Sequence, residues 1–415
     1  MLPRFSPLAA ALATALCAPG TAQSQIMVDA GRGPVLIRLP ASYTGQHPIP
    51  MLLMLHAYLE TPAEFETFMG VTAIANANGI ATVHPIGLPD VFGVPHWNAT
   101  TACCAWFAAG NDDSGYLRSL IDEVKLNVNI APNRIHVTGY SNGGYMAYRM
   151  ACDHADVIAS IVSVGAATWY DPTVCTPSAP LHVLHIHGDQ DVWVKYAGGL
   201  EVGGNPYPSV NNTVSYWAGY NGCSATPTIS ATPLDLDQLV AGPETAVVEY
   251  ESGCQPGGSV EHWWMQGSNH FPVWQPSFAP LFTQWILAHS KPGTWTDTGS
   301  DLAGTYGPPV LLPSGTANPD TIVSFDASNV LENTPAVLVI GMSAVNVPLA
   351  GGILGPNMDL GIYGLVSNPI GELNIDISWP VGLPIGAPIY FQYWFQDPAG
   401  PSGLSATSTW RLILP

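Results

Sequence analysis

The stretch Arg134-Ile-His-Val-Thr-Gly-Tyr-Ser-Asn-Gly-Gly-Tyr-Met-Ala-Tyr-Arg-Met-Ala151 constrains this chain more than any other. A short β-type run, Ile135 to Thr138, leads into Gly139-Tyr-Ser-Asn-Gly143, and a helical pattern follows from Tyr145 to Ala151. Strand, G-x-S-x-G and helix in that order is the context of a nucleophile elbow. The turn is so sharp that the residues two before and two after the serine must lack side chains, and Gly139 and Gly143 meet that need. Ser141 Oγ is then pushed out above a sheet edge, with the Asn142 N–H aimed at the same space. A bare G-x-S-x-G arises often as a Gly-rich surface turn. The flanking strand and helix make Ser141 a candidate nucleophile.

The rest of the first 290 residues supplies the sheet such an elbow needs. Met51-Leu-Leu-Met-Leu55, Ile80-Ala-Thr-Val-His-Pro85, Ala159 to Gly165 and Leu181 to Gly188 are continuous apolar runs of the kind found in buried parallel strands. Helical patterns fall between them. Thr61-Pro-Ala-Glu64 reads as a capping box with proline at the first helical position. Asp113 to Val124 is amphipathic, and Phe278 to His289 makes a final helix. Strands alternating with helices predict an α/β fold, a doubly wound and mostly parallel sheet over 26–290.

Composition shifts at Lys291-Pro-Gly, and 291–319 is rich in Gly, Pro, Thr and Ser, as a linker would be. From 320 to 415 the chain shows only short alternating strands between Pro/Gly turns, which predicts a small all-β, sandwich-like C-terminal domain. Charge is sparse and one-sided: 30 acidic residues face 10 basic ones, for a net charge of −20. That field excludes nucleic acid and anionic lipid as partners and suits an uncharged substrate. At the N-terminus, Arg4, the apolar run Leu8 to Leu16 and Gly20-Thr21-Ala22 read as an export signal over 1–22, so the chain is expected to be secreted. No later segment is apolar for long enough to span a membrane. Cleavage would leave six cysteines, an even number suited to disulfides outside the cell. Proximity favours Cys152–Cys175 and Cys223–Cys254, with the adjacent Cys103 and Cys104 left to bridge each other.

A serine elbow needs an acid and a base, in chain order Ser, acid, His. His187-Gly-Asp-Gln-Asp191 follows a strand and offers two carboxylates; Asp191, one turn beyond the strand end, is chosen over Asp189. His270, in a loop before the last helix, is the candidate base, rather than His262 within a strand or His289 at a helix end. A lone histidine is more often structural, and here chain order and loop context reverse that. The second oxyanion N–H, besides that of Asn142, is assigned to Tyr58 in the loop after an early strand. His182, His185 and His187 resemble ligand spacing, yet no further Cys/His/Glu cluster completes a metal site, so packed imidazoles are expected and neither metal nor cofactor is called for. Trp97, Trp106, Trp193, Trp263 and Trp274 fall near motif residues; Trp97, Trp193 and Trp274 are the candidate substrate contacts.

With those residues placed, the chain resembles the secreted polyhydroxybutyrate depolymerase and feruloyl esterase group of α/β-hydrolases. The segments that carry the resemblance are Leu55-His-Ala-Tyr58, Trp97-Asn-Ala with Cys103-Cys104, Asn111 to Asp122, Gly139 to Cys152, His187 to Asp191, and His270. They run in the group's order over about 28–290, with Ala57 standing where the group has glycine. The resemblance implies an esterase with Ser141, Asp191 and His270 as its triad, and a monomer that needs no cofactor is expected. It also implies as substrate a polymeric or oligomeric ester, of polyhydroxyalkanoate or feruloyl-polysaccharide type. An alternative of another class is an inert hydrolase fold that binds a polymer or glycan.

Overall fold

The computed structural model describes residues 25–414 apart from 46–47, 108–109, 320 and 385. The expected export signal, 1–22, lies outside the described residues.

The first strands are β1 (Gln25–Asp29), β2 (Pro34–Arg38), β3 (Ile49–Leu55), β4 (Ala81–Val83), β5 (Ile130–Tyr140), β6 (Ser160–Val164) and β7 (His182–Gly188). They are followed by β8 (Thr228–Ile229), β9 (Thr245–Tyr250) and β10 (Ser259–Met265). Together they form one ten-stranded sheet in the order β1-β2-β4-β3-β5-β6-β7-β10-β9-β8. The middle, from β4 to β10, is parallel throughout, and antiparallel pairs extend it at both edges. A parallel sheet requires both faces covered, and the helices do this. One core holds α3 (Asp113–Asn127), α4 (Asn142–Asp153) and α5 (Val210–Tyr220). The other holds α1 (Pro62–Met69), α2 (Thr72–Ala77) and α6 (Phe278–Ala288).

Strand β3 shows why the apolar runs are continuous. Met51, Leu53 and Leu55 enter the first core, and Leu52 and Met54 enter the second. Successive side chains of a strand point to opposite faces, so a strand between two helical layers must be apolar at every position. Helix α1 starts as its sequence dictates: Thr61 Oγ1 accepts from the Glu64 N–H, and the Glu64 carboxylate accepts from the Thr61 N–H.

The C-terminal region is all-β. Strands β11 (Thr294–Asp297), β12 (Val310–Ser314), β13 (Ile322–Ser328), β14 (Pro335–Gly341), β15 (Leu360–Val366), β16 (Leu373–Ser378), β17 (Pro388–Gln396) and β18 (Trp410–Ile413) make two antiparallel sheets. One runs β11-β18-β17-β14-β15 and the other β12-β13-β16. Val323, Phe325, Leu338, Phe391 and Tyr393 pack between them. The stretch 291–319, expected as a linker, therefore contributes β11 and β12 to these sheets. Short antiparallel strands at a sheet margin tolerate Thr, Pro and Ser, so composition alone reads them as loop. The two parts meet at the foot of β5, where Asn133 Nδ2 donates to the Leu414 carbonyl at 2.7 Å. The Lys291 N–H donates to the Asn133 carbonyl at 2.9 Å.

The cores of the α/β part hold many imidazoles. Burial pulls His56 and His262 down to about 4 and His84 to about 3, and takes His136 and His185 well below the ordinary range. Unfolded histidines take up protons near pH ~6.5. As pH falls below that value the unfolded chain binds protons that the folded chain refuses, so stability is lost on acidification through the folded values. The denaturation midpoint in urea should fall steadily between about pH 7 and about pH 4.5; an unchanged midpoint over that range would contradict the burial described.

Candidate active site

Ser141 stands between the end of β5 and the first residue of α4, with φ 51° and ψ −116°. That region is sparsely populated for a residue with a side chain and persists only where the surroundings enforce it. Here they do. The Ser141 N–H donates to the Val164 carbonyl at 2.8 Å, and the Ser141 carbonyl accepts from the Tyr145 N–H at 3.0 Å. A Cβ on Gly139 would collide with the Gly143 carbonyl, and one on Gly143 with the carbonyl of Leu55. A Cβ on Gly144 would lie 2.7 Å from that of Ala166. The helix thus starts against bare backbone, which turns its first N–H groups and the serine hydroxyl into one space.

His270 reaches that space from the loop after β10. Its Nε2 lies 3.2 Å from Ser141 Oγ, and its Nδ1 lies 2.6 Å from Asp191 Oδ2. The ring is positioned from behind: the Tyr140 hydroxyl donates to the His270 carbonyl at 2.7 Å. Asp191 Oδ1 accepts from the N–H groups of Trp193 and Val194, both at 2.8 Å. Burial alone would push the Asp191 carboxyl up, but the hydrogen bonds from His187 and His270 outweigh it and hold the group down at about 2. Asp189 faces elsewhere. Its oxygens accept from the Gly267 N–H at 2.8 Å and the Trp264 indole N–H at 3.2 Å.

Tyr58 lies in the turn Ala57 to Glu60, closed by Glu60 N–H to Ala57 O at 3.3 Å, with Leu59 at φ 72°. The Ala57 N–H is taken up by Glu60 Oε2 at 3.1 Å. The Tyr58 hydroxyl donates to Asp90 at 2.8 Å. His56 pins this loop: its Nδ1–H donates to the Ala57 carbonyl at 2.7 Å and its Nε2 accepts from the Gly87 N–H at 2.9 Å. That bonding needs a neutral ring, which burial ensures.

Asn142 is fully buried, and its amide closes on the backbone of Trp97. Its Oδ1 accepts from the Trp97 N–H at 2.7 Å and its Nδ2 donates to the Trp97 carbonyl at 2.9 Å. The Trp97 indole N–H in turn donates to the His56 carbonyl at 3.1 Å. Trp97 therefore braces the elbow against the Tyr58 loop from within the core. It is fully buried and does not line the cleft, where the sequence reading placed it against substrate. Trp274 is also displaced from that expectation: it stacks on Phe278 at 3.8 Å and lies outside the cleft. Trp193 is 66% exposed and lines the cleft with Trp106, Tyr145 and Phe271.

The cleft has a volume of about 320 Å³ and contains Ser141 and His270. Its wall includes the Cys103–Cys104 disulfide and the carboxylates of Glu60 and Glu201. The other pairs are Cys152–Cys175 and Cys223–Cys254. Among the described residues no group of three or more His, Cys, Asp or Glu side chains is arranged to hold a metal ion. Sequence reasoning did not find Glu60, Glu201, Tyr145 or Phe271, because nothing in their local pattern marks the side that faces a cleft. It also passed over His56 as a brace, although Leu55-His-Ala-Tyr58 was singled out.

Residues 30–197 match the family model Esterase. The chain is 29% identical over 200 residues to feruloyl esterase B of Piromyces equi, covering 46% of this chain and 36% of that protein. It is 25% identical over 205 residues to poly(3-hydroxyalkanoate) depolymerase C of Paucimonas lemoignei, covering 44% of this chain and 48% of that one. The resemblance to the polyhydroxybutyrate depolymerase and feruloyl esterase group holds. Among solved structures, acetyl xylan esterase from Aspergillus awamori aligns with a TM-score of 0.42 at 14% identity, over 64% of this chain and 98% of that one. The chain spans between 36% and 48% of the length of these two curated relatives. The Esterase match includes Ser141 and Asp191 and stops short of His270 and the β-sandwich.

The packing at the elbow reverses the usual effect of a substitution. Replacing a helical glycine by alanine ordinarily stabilises a chain by about 0.4–1 kcal/mol. At Gly143 the added methyl meets the Leu55 carbonyl, so Gly143→Ala should instead destabilise by about 1–3 kcal/mol, read as a lower urea midpoint.

Proposed function

We propose that this chain is an exported serine esterase acting on carboxylic esters of a polymer or its oligomers, with Ser141, His270 and Asp191 as nucleophile, base and acid. The observation that carries the reading is the line from Ser141 Oγ through His270 to Asp191, opening into an aromatic-walled cleft. His270 Nε2 takes the Ser141 proton as Oγ attacks the ester carbonyl. Asp191 holds the Nδ1–H tautomer and stabilises the imidazolium. The N–H groups of Asn142, at the open start of α4, and of Tyr58 stabilise the oxyanion. The imidazolium returns its proton to the departing alkoxide. A water deprotonated by His270 then cleaves the acyl-enzyme, releasing the acid and restoring Ser141.

In this reading residues 1–22 direct export, 26–290 form the catalytic domain, and the strands from Thr294 onward form a separate sandwich-like domain of a monomeric chain. The three disulfides are consistent with an oxidising compartment. The ester class is either polyhydroxyalkanoate or feruloyl polysaccharide. Both keep the scissile ester uncharged, which suits a cleft flanked by Glu60 and Glu201 on a chain of net charge −20.

The reading is tested with p-nitrophenyl butyrate. Ser141→Ala should lose activity by about a thousandfold or more, and Asp191→Asn by about ten-thousandfold in kcat. Asp189→Asn should keep the parent's kcat, since Asp189 holds a loop and not the base. Undiminished turnover by Ser141→Ala would refute the mechanism. Trp193→Ala should raise KM for methyl ferulate several-fold, about what loss of one aromatic contact costs, and leave kcat nearly unchanged. Release of soluble acid from polyhydroxybutyrate film, set beside methyl ferulate hydrolysis, assigns the ester class.

A further inference from the structure

The reaction above uses none of the three histidines in His182-Val-Leu-His-Ile-His187. His182 is engaged elsewhere, with Nδ1 2.8 Å from Ser259 Oγ and Nε2 3.1 Å from the Ser290 carbonyl. The other two stand in line with Asp191. His187 Nε2 lies 2.8 Å from the Val194 carbonyl and 3.3 Å from Asp191 Oδ2. His187 Nδ1 lies 3.1 Å from His185 Nε2, and His185 Nδ1 lies 2.8 Å from the Tyr148 hydroxyl. Tyr148, His185, His187 and Asp191 are all buried.

The hydrogens along this line follow from its two ends. A carbonyl only accepts, so His187 Nε2 carries a hydrogen, which lies between Val194 O and Asp191 Oδ2. At the far end the Tyr148 hydroxyl, which burial keeps protonated, meets His185 Nδ1. Burial also keeps the His185 ring uncharged, and with the single hydrogen of His187 on Nε2 its Nδ1 accepts from His185 Nε2–H, so His185 Nδ1 accepts from the Tyr148 hydroxyl. Every donor from Tyr148 onward then points toward Asp191.

We infer that His187 is a positioning residue for Asp191, with His185 and Tyr148 holding its ring. The inference rests on the proposed role of Asp191 as the acid of the triad. Asp191 Oδ1 is fixed by two backbone N–H groups, and Oδ2 lies within reach of both His270 and His187. Four donors thus set the rotation of the carboxylate and aim Oδ2 at the base. The His187 N–H also shares the carboxylate's charge, which reduces its pull on the proton of His270. Other titratable groups press on this line from neighbouring elements. His262 on β10 donates to the His185 carbonyl and is bonded to Tyr196, and Glu201 with Tyr145 flanks the cleft side. The Tyr140 ring lies behind His270 at 5.1 Å, tilted by 35°.

The test is the pH profile of p-nitrophenyl butyrate hydrolysis by the full chain, in the parent, His187→Leu, His187→Gln, Tyr148→Phe and Ser141→Ala. His187→Leu should lower kcat about tenfold with KM little changed, the scale of losing one hydrogen bond to a charged group. Its acid limb should move to higher pH by about half a unit, because the less shared carboxylate holds the His270 proton more tightly. His187→Gln, which keeps an N–H donor, should restore most of kcat. Tyr148→Phe should move the limb the same way by less. A purely structural role would lower activity equally at every pH. An acid limb that stays at the parent's position in His187→Leu overturns the inference. Should that variant not fold, an unmoved limb in Tyr148→Phe does so. Activity surviving in Ser141→Ala sinks the triad itself, whereas a dead Ser141→Ala beside unmoved limbs in His187→Leu and Tyr148→Phe sinks only the role of His187.

Discussion

The site depends on how closely α4 can approach the sheet. Its first turn lies against the ends of β3, β5 and β6, and Gly139, Gly143 and Gly144 are the residues that make this possible. That contact holds Ser141 at a positive φ and leaves the first N–H groups of the helix unshared. The bracing around it is polar. Asn142 closes on the Trp97 backbone, Trp97 closes on His56, and His56 closes on the Tyr58 turn. One continuous set of bonds therefore runs from the elbow to the loop across the cleft, so the two sides keep a common register.

A second set of bonds runs behind His270. Asp191 gathers donors from two imidazoles and two backbone amides, which keeps a buried carboxylate ionised where burial alone would neutralise it. The sheet around it is rich in neutral imidazoles rather than in aliphatic side chains alone. Those rings give directional bonds inside the core, and they tie the fold to neutral and alkaline conditions.

The parallel sheet and the elbow were legible because each rests on a pattern with a physical cause. A strand covered on both faces is apolar throughout, as β3 is, and a turn this tight excludes Cβ on both sides of the serine. Asp191 was separable from Asp189 by its distance past the strand end, and Asp189 turns to Gly267 and Trp264 instead. Side-chain direction was not legible. Trp97, Trp193 and Trp274 sit in similar sequence surroundings, yet one is sealed in the core, one lines the cleft and one stacks on Phe278. The strands at 294–297 and 310–314 escaped notice because their partners lie far along the chain, at Trp410–Ile413 and Ile322–Ser328. Local composition carries no trace of such pairings.

The bond between Asn133 and the Leu414 carbonyl fixes where the sandwich stands. Asn133 precedes the regularly paired run Ile135 to Tyr140 of the same strand, and that run alone puts about 16 Å between it and the elbow at ~3.3 Å per residue. The sandwich is attached at the root of the sheet and the cleft opens at its crown. Among the described residues no sandwich residue lines the cleft, so the β-module stands beneath the sheet as a pedestal rather than over the cleft as a roof.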